Sequence, residues 1–354
     1  MRKYIINGKF LGERMQGIVR YAREITKELD LLVGGDTEVV IAVPPNAADI
    51  PQYKNIKAER LGKNTGVKWE QTDLRKYVKS DKGSVCVNLC NIVPLGAQPG
   101  ITVIHDIMYK VNPSHFTTFR NKISRLWHVF QYRYISKHEK AIVTDSLYSK
   151  SDIEKHYPSA KGKITVIPCG WQHILNCAPT ADWKERYPFL EKDGYYFSLS
   201  TLAKNKNVKW IIETARNNPD MKFVLAGKKY EADTGNIPEN VYMVGFVSDE
   251  DVCALITNCR AFLFPSIYEG FGIPPLEAMA LGAQAIVSNA TCLPEIFGNS
   301  VHYIDPYDYS VNLSELLNEP IESSETVLEK YSWKKSAEAL YKLMTEIPEK
   351  KQET

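Results

Sequence analysis

Short apolar runs rich in β-branched and aromatic residues alternate with helical segments along most of this chain, and that alternation constrains its fold more than any other feature. The runs occupy residues 39–43, 84–87, 101–104, 141–144, 164–167, 195–199, 222–226, 261–264 and 285–288. They lack strict apolar/polar alternation, which marks strands covered on both faces. Helical patterns lie between them, for example at 17–29 and 208–215. Strand, helix, strand in repetition predicts parallel sheets with crossover helices. The N-terminus, Arg2-Lys3-Tyr4-Ile5-Ile6-Asn7-Gly8, reads as a buried strand and turn and is too soon polar for a signal peptide. A chain of 354 residues suggests two domains. Periodicity is lost between Pro168 and Gly194, where Pro179 and Pro188 punctuate the chain. The expectation is an α/β fold of two doubly wound parallel-sheet, Rossmann-like domains facing a central cleft. The N-terminal domain spans 1–172, an interdomain linker 173–193 and the C-terminal domain 194–330. Ligands of such sheets bind beyond the carboxyl ends of the strands.

Composition removes several classes. Forty-four basic against 42 acidic side chains leave a net charge of +2, too balanced for a general polyanion binder, so nucleic acid is not expected. No run of about 18 apolar residues exists to form a spanning helix. The seven cysteines show no two-residue spacing and read as reduced thiols of a cytoplasmic protein. Asp249-Glu250-Asp251 has the spelling of a metal-binding Asp-x-Asp. However, Ser248 before it and the apolar run after it place the three acids in the first turn of a helix, where the dipole favours them. No metal is implied, and the histidines show no metal spacing.

Residues 264–282 carry the most chemistry: Phe-Pro-Ser-Ile-Tyr-Glu-Gly-Phe-Gly-Ile-Pro-Pro-Leu-Glu-Ala-Met-Ala-Leu-Gly. A strand ends at Phe264, Gly270 and Gly272 allow a tight turn, and a helix begins near Pro275 and ends at Gly282. Free backbone amides at such a helix start favour an anion such as a diphosphate. Glu269 lies on the loop and Glu277 in the first helical turn, so both carboxylates are expected to face one cleft as hydroxyl acceptors. Phe271 reads as an exposed aromatic between them.

This segment resembles the Glu-x7-Glu motif of retaining glycosyltransferases of the GT-B fold, family 4. The likeness continues through Ser288-Asn289, Leu293-Pro294-Glu295 and Asp305-Pro306, and upstream Val244-Gly245-Phe246-Val247-Ser248 resembles the family's base-binding strand and loop. The resemblance implies a donor site formed by Gly17, Thr201, Lys206, Val247, Glu269, Gly270, Phe271, Gly272, Ile273 and Glu277. In it Glu269 contacts the sugar and Glu277 the ribose. Ser200-Thr201-Leu202-Ala203-Lys204-Asn205-Lys206-Asn207 resembles the family's Gly-Thr-Leu-Glu-Pro-Arg-Lys-Asn loop, with Lys206 as the lysine that neutralises the diphosphate. The family's arginine is missing at both Thr201 and Asn205, and an ammonium on Lys204 is not equivalent to a guanidinium. Gly17 opens a helix resembling the family's glycine-started first helix. Ile104-His105-Asp106-Ile107 resembles its His-Asp pair near the reacting sugar, or is a histidine held by its neighbouring aspartate. Glu269, Lys206 and His105 are thus the catalytic candidates.

The activity implied is metal-independent, retaining transfer of a sugar from a UDP-, GDP- or dTDP-linked donor to a hydroxyl of a glycan or lipid-linked acceptor, in surface polysaccharide synthesis. No cofactor is implied. A nucleotide-sugar 2-epimerase and a non-catalytic donor-binding subunit share the architecture and stay as alternatives. Phe119, Ile123, Leu126, Trp127, Phe130 and Tyr134 fall at helical spacing and read as a core stripe. Arg120, Lys122, Arg125, Arg133 and Lys137 among them leave open a peripheral contact with anionic lipid or a hold on a lipid-diphosphate acceptor. A C-terminal helix over about 331–347, with Trp333 as its packing anchor, is expected to return to the first domain.

Overall fold

The apolar runs form parallel ladders in two separate sheets. The computed structural model describes residues 2–199, 203–227 and 237–347. Its first sheet comprises β1 (Arg2–Asn7), β2 (Thr37–Val43), β3 (Lys57–Arg60), β4 (Val85–Asn88), β5 (Ile101–Val103), β6 (Ala141–Thr144) and β7 (Ile164–Val166), in the spatial order β3-β2-β1-β4-β5-β6-β7. The second comprises β8 (Tyr195–Leu199), β9 (Lys222–Ala226), β10 (Val241–Gly245), β11 (Ala261–Phe264), β12 (Ala285–Ser288) and β13 (His302–Ile304), in the order β10-β9-β8-β11-β12-β13. Every pairing is parallel, with Tyr4 opposite Val39 and Val85, and Tyr196 opposite Phe223 and Ala261. Strand order therefore reverses between β1 and β4 in one sheet and between β8 and β11 in the other. At such switch points diverging loops leave room for a ligand.

The helices used below are α1 (Gly17–Leu32), α2 (Phe119–His138), α3 (Val208–Asn217), α4 (Asp249–Thr257), α5 (Ile273–Ala280) and α6 (Trp333–Glu346). Helix α1 buries Val19, Tyr21, Ala22, Ile25 and Leu29 on one stripe. Trp210 and Ile211 of α3 pack with Phe223, Leu225 and Ile286 in the core of the second sheet. The edge strand β3 was not expected, because Lys-Ala-Glu-Arg carries no apolar run; its charges blunt an exposed edge. None of the seven cysteines is in a disulfide, and five of them are buried.

The chain divides into one unit of residues 1–169 with 333–354 and another of 170–332. Trp333 meets Tyr21 edge-on at 5.9 Å, Ser336 Oγ donates to the Pro168 carbonyl at 2.6 Å, and Tyr4 Oη donates to the Met344 carbonyl at 2.6 Å. The stretch 173–193, expected as a linker, lies wholly in the second unit. Trp183, Tyr187 and Leu190 are buried, Thr180 Oγ1 donates to Asp251 Oδ1 at 2.9 Å, and Lys222 Nζ donates to the Phe189 carbonyl at 2.6 Å. Proline punctuation ended its helices there, while its aromatics still found a surface to cover.

In the first unit Glu139 is buried and accepts from the Gly100 amide at 2.9 Å and from Thr102 Oγ1 at 3.2 Å. Burial pushes its carboxyl up to about 7 despite those two donors and the nearby Lys163 and Lys140. The native state then holds a proton that the unfolded chain releases near pH 4.5. Stability contributed by this group falls as pH rises from 4.5 to 7 and stays reduced above it. Glu139→Gln keeps an acceptor oxygen and removes the charge. The variant is expected to match wild type near pH 4 and exceed it by up to about 3 kcal/mol at pH 8, read from urea unfolding at both pH values. Equal stability at pH 8 would contradict the shift.

Candidate active site

The switch point of the second sheet brings two loops together. After β8 the chain turns through Lys204–Lys206 into Asn207, whose backbone is left-handed (φ +54°) and whose Nδ2 donates to the carbonyls of Pro265 (3.1 Å) and Pro306 (2.8 Å). That side chain ties the loop after β8 to those after β11 and β13. Asn205 completes the tie. Its carbonyl accepts from the Ile267 amide at 2.8 Å, and its Nδ2 donates to the Tyr268 carbonyl at 3.1 Å and, more weakly, to Glu269 Oε1 at 3.5 Å.

These ties set Lys206 Nζ 2.7 Å from Glu269 Oε1 and over the Phe264 ring, 4.9 Å from its centroid. Side-chain exposure is 21% for Lys206 and 14% for Glu269, so the pair is shielded but open to a ligand. Glu269 is held from behind as well. Its amide donates to Thr291 Oγ1 at 3.2 Å, and the Cys292 thiol donates to its carbonyl at 3.3 Å.

Gly272 turns the loop into α5 at φ +107°. A Cβ there would also sit 2.9 Å from Leu293 Cδ2 and 3.3 Å from Phe297 Cε2. Gly272→Ala is therefore expected to cost about 1–3 kcal/mol from the backbone conformation alone, before the clash, measurable as a lower urea midpoint. An unchanged midpoint would mean that the loop relaxes freely. The helix begins at Ile273, earlier than expected. Pro274 and Pro275 carry no N–H, so its start offers the amides of Gly272 and Ile273 rather than a full first turn. Two other expectations change. Phe271 is only 3% exposed and meets Tyr331 edge-on at 5.1 Å, so it supports the loop instead of presenting a face. Glu277 lies in the second turn, not the first, and is buried.

The partner of Glu277 was not anticipated. His173, in the turn Gln172–Asn176, places Nε2 2.6 Å from Glu277 Oε1. The stretch read as a linker thus supplies the group that orients the second carboxylate. That turn is itself anchored: Trp171 Nε1 donates to the Leu328 carbonyl at 2.9 Å and Gln172 Nε2 to the Tyr331 carbonyl at 3.1 Å.

Of the remaining candidates, Thr201 lies outside the described residues. Val247 is half-buried in the loop after β10, the edge strand two places from β8, next to an almost fully exposed Phe246. Ser248 caps α4 by accepting from the Asp251 amide at 3.2 Å, and Asp251 pairs with Arg186 at 3.1 Å, so the acids of that turn serve the helix and its neighbour. Among the described residues no group of three or more His, Cys, Asp or Glu side chains is gathered as a metal site.

Gly17 and His105 belong to the first unit. Gly17 is exposed at the start of α1, where an added Cβ would meet nothing within 4 Å. His105 follows β5 and is buried. Its Nδ1 lies 2.8 Å from Asp145 Oδ2 and its Nε2 3.0 Å from the Leu89 carbonyl. Burial opposes the charged ring, but the Asp145 carboxylate and these hydrogen bonds outweigh it and hold the pKa above the ordinary histidine value. The neighbouring Asp106 instead accepts from the Met108 amide at 2.7 Å. Both ring nitrogens of His105 are thus engaged within the unit.

Two doubly wound parallel sheets in one chain, with a C-terminal helix that returns to the first unit, are the GT-B architecture of glycosyltransferases. Residues 179–351, just under half of the chain, match the family described as Glycosyl transferases group 1, and the fold is GT-B. It is 28% identical over 249 residues to O-antigen chain mannosyltransferase B of Escherichia coli, covering 64% of this chain and 62% of that protein. It is 26% identical over 333 residues to the serotype-specific mannosyltransferase WbdA of Escherichia coli, covering 86% of this chain and 39% of that protein. The chain thus spans less than two thirds of either relative. Sucrose-phosphate synthase from Thermosynechococcus elongatus has the same fold, with a TM-score of 0.73 at 18% identity over 98% of each chain.

Proposed function

We propose that this protein is a retaining glycosyltransferase that moves a sugar from a nucleoside diphosphate donor to a hydroxyl of a glycan or lipid-linked acceptor in surface polysaccharide synthesis. The observation that carries the reading is the Lys206–Glu269 pair at the switch point of the second sheet, beside the amides of Gly272 and Ile273. In this reading the diphosphate recruits Lys206 and those amides, and Glu269, relieved of its cation, accepts from the sugar hydroxyls. Glu277, oriented by His173, accepts from the ribose. As the glycosidic bond breaks, charge accumulates on the leaving phosphate, where a fixed ammonium and oriented amides stabilise it without reorganising. No metal is needed to balance that charge. The two relatives named as mannosyltransferases make a mannosyl donor the first to test.

The test pairs binding with turnover. Calorimetry against UDP-, GDP- and dTDP-linked sugars is expected to find one donor base bound clearly more tightly than the others. With an acceptor glycan that donor is expected to be consumed with retention at the anomeric carbon, equally with and without EDTA. Conversion of the donor with no acceptor present would identify an epimerase. Binding without turnover on any acceptor would identify a donor-binding subunit, and loss of activity in EDTA would refute the metal-free mechanism.

A further inference from the structure

Of the six residues on α2 expected to face the core, Trp127 and Tyr134 are half-buried, with Tyr134 packed against the core, and the other four face outward. Phe119 is 80% exposed, Ile123 53%, Leu126 62% and Phe130 50%. At 3.6 residues per turn these four lie within one narrow sector, over about 17 Å of helix. The opposite sector carries the buried residues Gln131, Tyr132, Ile135 and Ser136. It is firmly held. His128 stacks on Tyr109 with ring centroids 4.0 Å apart, Gln131 Oε1 accepts from the Val93 amide at 3.2 Å, and Tyr132 and Ile135 join a core with Ile104, Ile142 and Ile153. Thr118 caps the helix by accepting from the Asn121 amide at 3.2 Å. The exposed apolar face therefore belongs to a fixed helix rather than to one that has frayed from its seat.

The charges around that face have one sign. From residue 107 to residue 138 the sequence contains no Asp or Glu, while Arg120, Lys122, Arg125, Arg133 and Lys137 lie on α2. None of these five side chains forms an ion pair among the described residues. Lys122 and Arg133 flank the stripe on one side, and Lys137 continues its line. In a chain whose total charge is only +2, five unpaired cations on one helix mark a segregated field.

We infer that this face of α2 docks on an anionic bilayer surface. The four apolar side chains would enter the headgroup–acyl boundary while Lys122, Arg133 and Lys137 meet lipid phosphates. A helix with an apolar stripe and a cationic remainder lies in the interface plane, and no helix among the described residues is long and apolar enough to cross a membrane. The inference stands on the exposed face alone and does not depend on the transfer reaction.

Vesicle sedimentation of the full chain tests it. Wild type is expected to bind vesicles containing about 30% phosphatidylglycerol at least about tenfold more strongly than pure phosphatidylcholine, and to be released by 0.5 M salt. Leu126→Ser/Phe130→Ser and Lys122→Glu/Arg133→Glu are each expected to weaken binding by about tenfold or more. Both alter exposed positions, so thermal midpoints near wild type are expected to confirm folding. Equal binding to neutral and anionic vesicles, or wild-type binding by both variants, would overturn the inference. So would a concentration-dependent dimer in sedimentation velocity that Leu126→Ser/Phe130→Ser abolishes, since the face would then belong to a second copy.

Discussion

Lys206→Ala is expected to lower kcat by about 10²–10³ while changing the donor dissociation constant less than about tenfold. The ammonium sits 2.7 Å from Glu269, so in the resting protein its charge is already offset. Its value therefore appears where the leaving phosphate gains charge, which places the effect on turnover more than on binding. The substitution also leaves a bare Glu269 carboxylate without the cation that holds it before the donor arrives. Lys206→Ala/Glu269→Gln separates the two causes. If the missing cation is responsible, the double variant is at least as slow as Lys206→Ala. If the bare carboxylate is responsible, glutamine restores turnover. Because the pair is part exposed, thermal stability is expected to fall by no more than about 1 kcal/mol. Turnover within about threefold of wild type would remove Lys206 from the mechanism.

His173→Ala is expected to raise the donor KM by about tenfold with kcat nearly unchanged, and Glu277→Ala by about a hundredfold. The two side chains are buried together at 2.6 Å, so removing the imidazole leaves a shielded carboxylate without its partner, at a stability cost of about 3 kcal/mol. A role confined to folding would lower stability and leave KM untouched. A positioning role moves KM, and His173→Ala/Glu277→Ala is then expected to be no worse than Glu277→Ala, because the histidine acts only through the glutamate. Additive effects of the two substitutions on KM would show that His173 contacts the donor by itself.

Much of the candidate site was legible because its parts are local. A strand that ends in a glycine turn and restarts as a helix needs Gly272 and tolerates Pro274 and Pro275 at adjacent positions, and the sequence spells these out in one line. The helix assignment of Asp249 to Asp251 was legible for the same reason, since a serine cap and its first turn are contiguous. Lys206 and Glu269 are 63 residues apart, yet both follow strands, and an order that puts β8 beside β11 brings their loops together. His173 carried no comparable signal. It is 104 residues from Glu277, in a stretch whose prolines hide its packing. His105 pairs with Asp145, 40 residues away, rather than with the aspartate beside it in sequence.

The helix α2 shows the same division most clearly. Helical spacing from Phe119 to Tyr134 predicted a helix, which the structure extends to His138, and it put Phe119, Ile123, Leu126 and Phe130 in one line. Both sides of that helix carry aromatics, however, so hydropathy did not distinguish inside from outside. The seat was decided by what already stood beneath it: the Val93 backbone, Tyr109 and the Ile104–Ile142 core accept the face of His128, Gln131, Tyr132 and Ile135. From sequence alone came most of the strands and helices, the doubly wound parallel class and the glycine-turned loop, because backbone sterics and hydrogen-bond periods act over a few residues. Tertiary structure alone decided which carboxylate meets which cation or imidazole and which aromatic face stays in water, because those contacts join residues that only the strand order brings together.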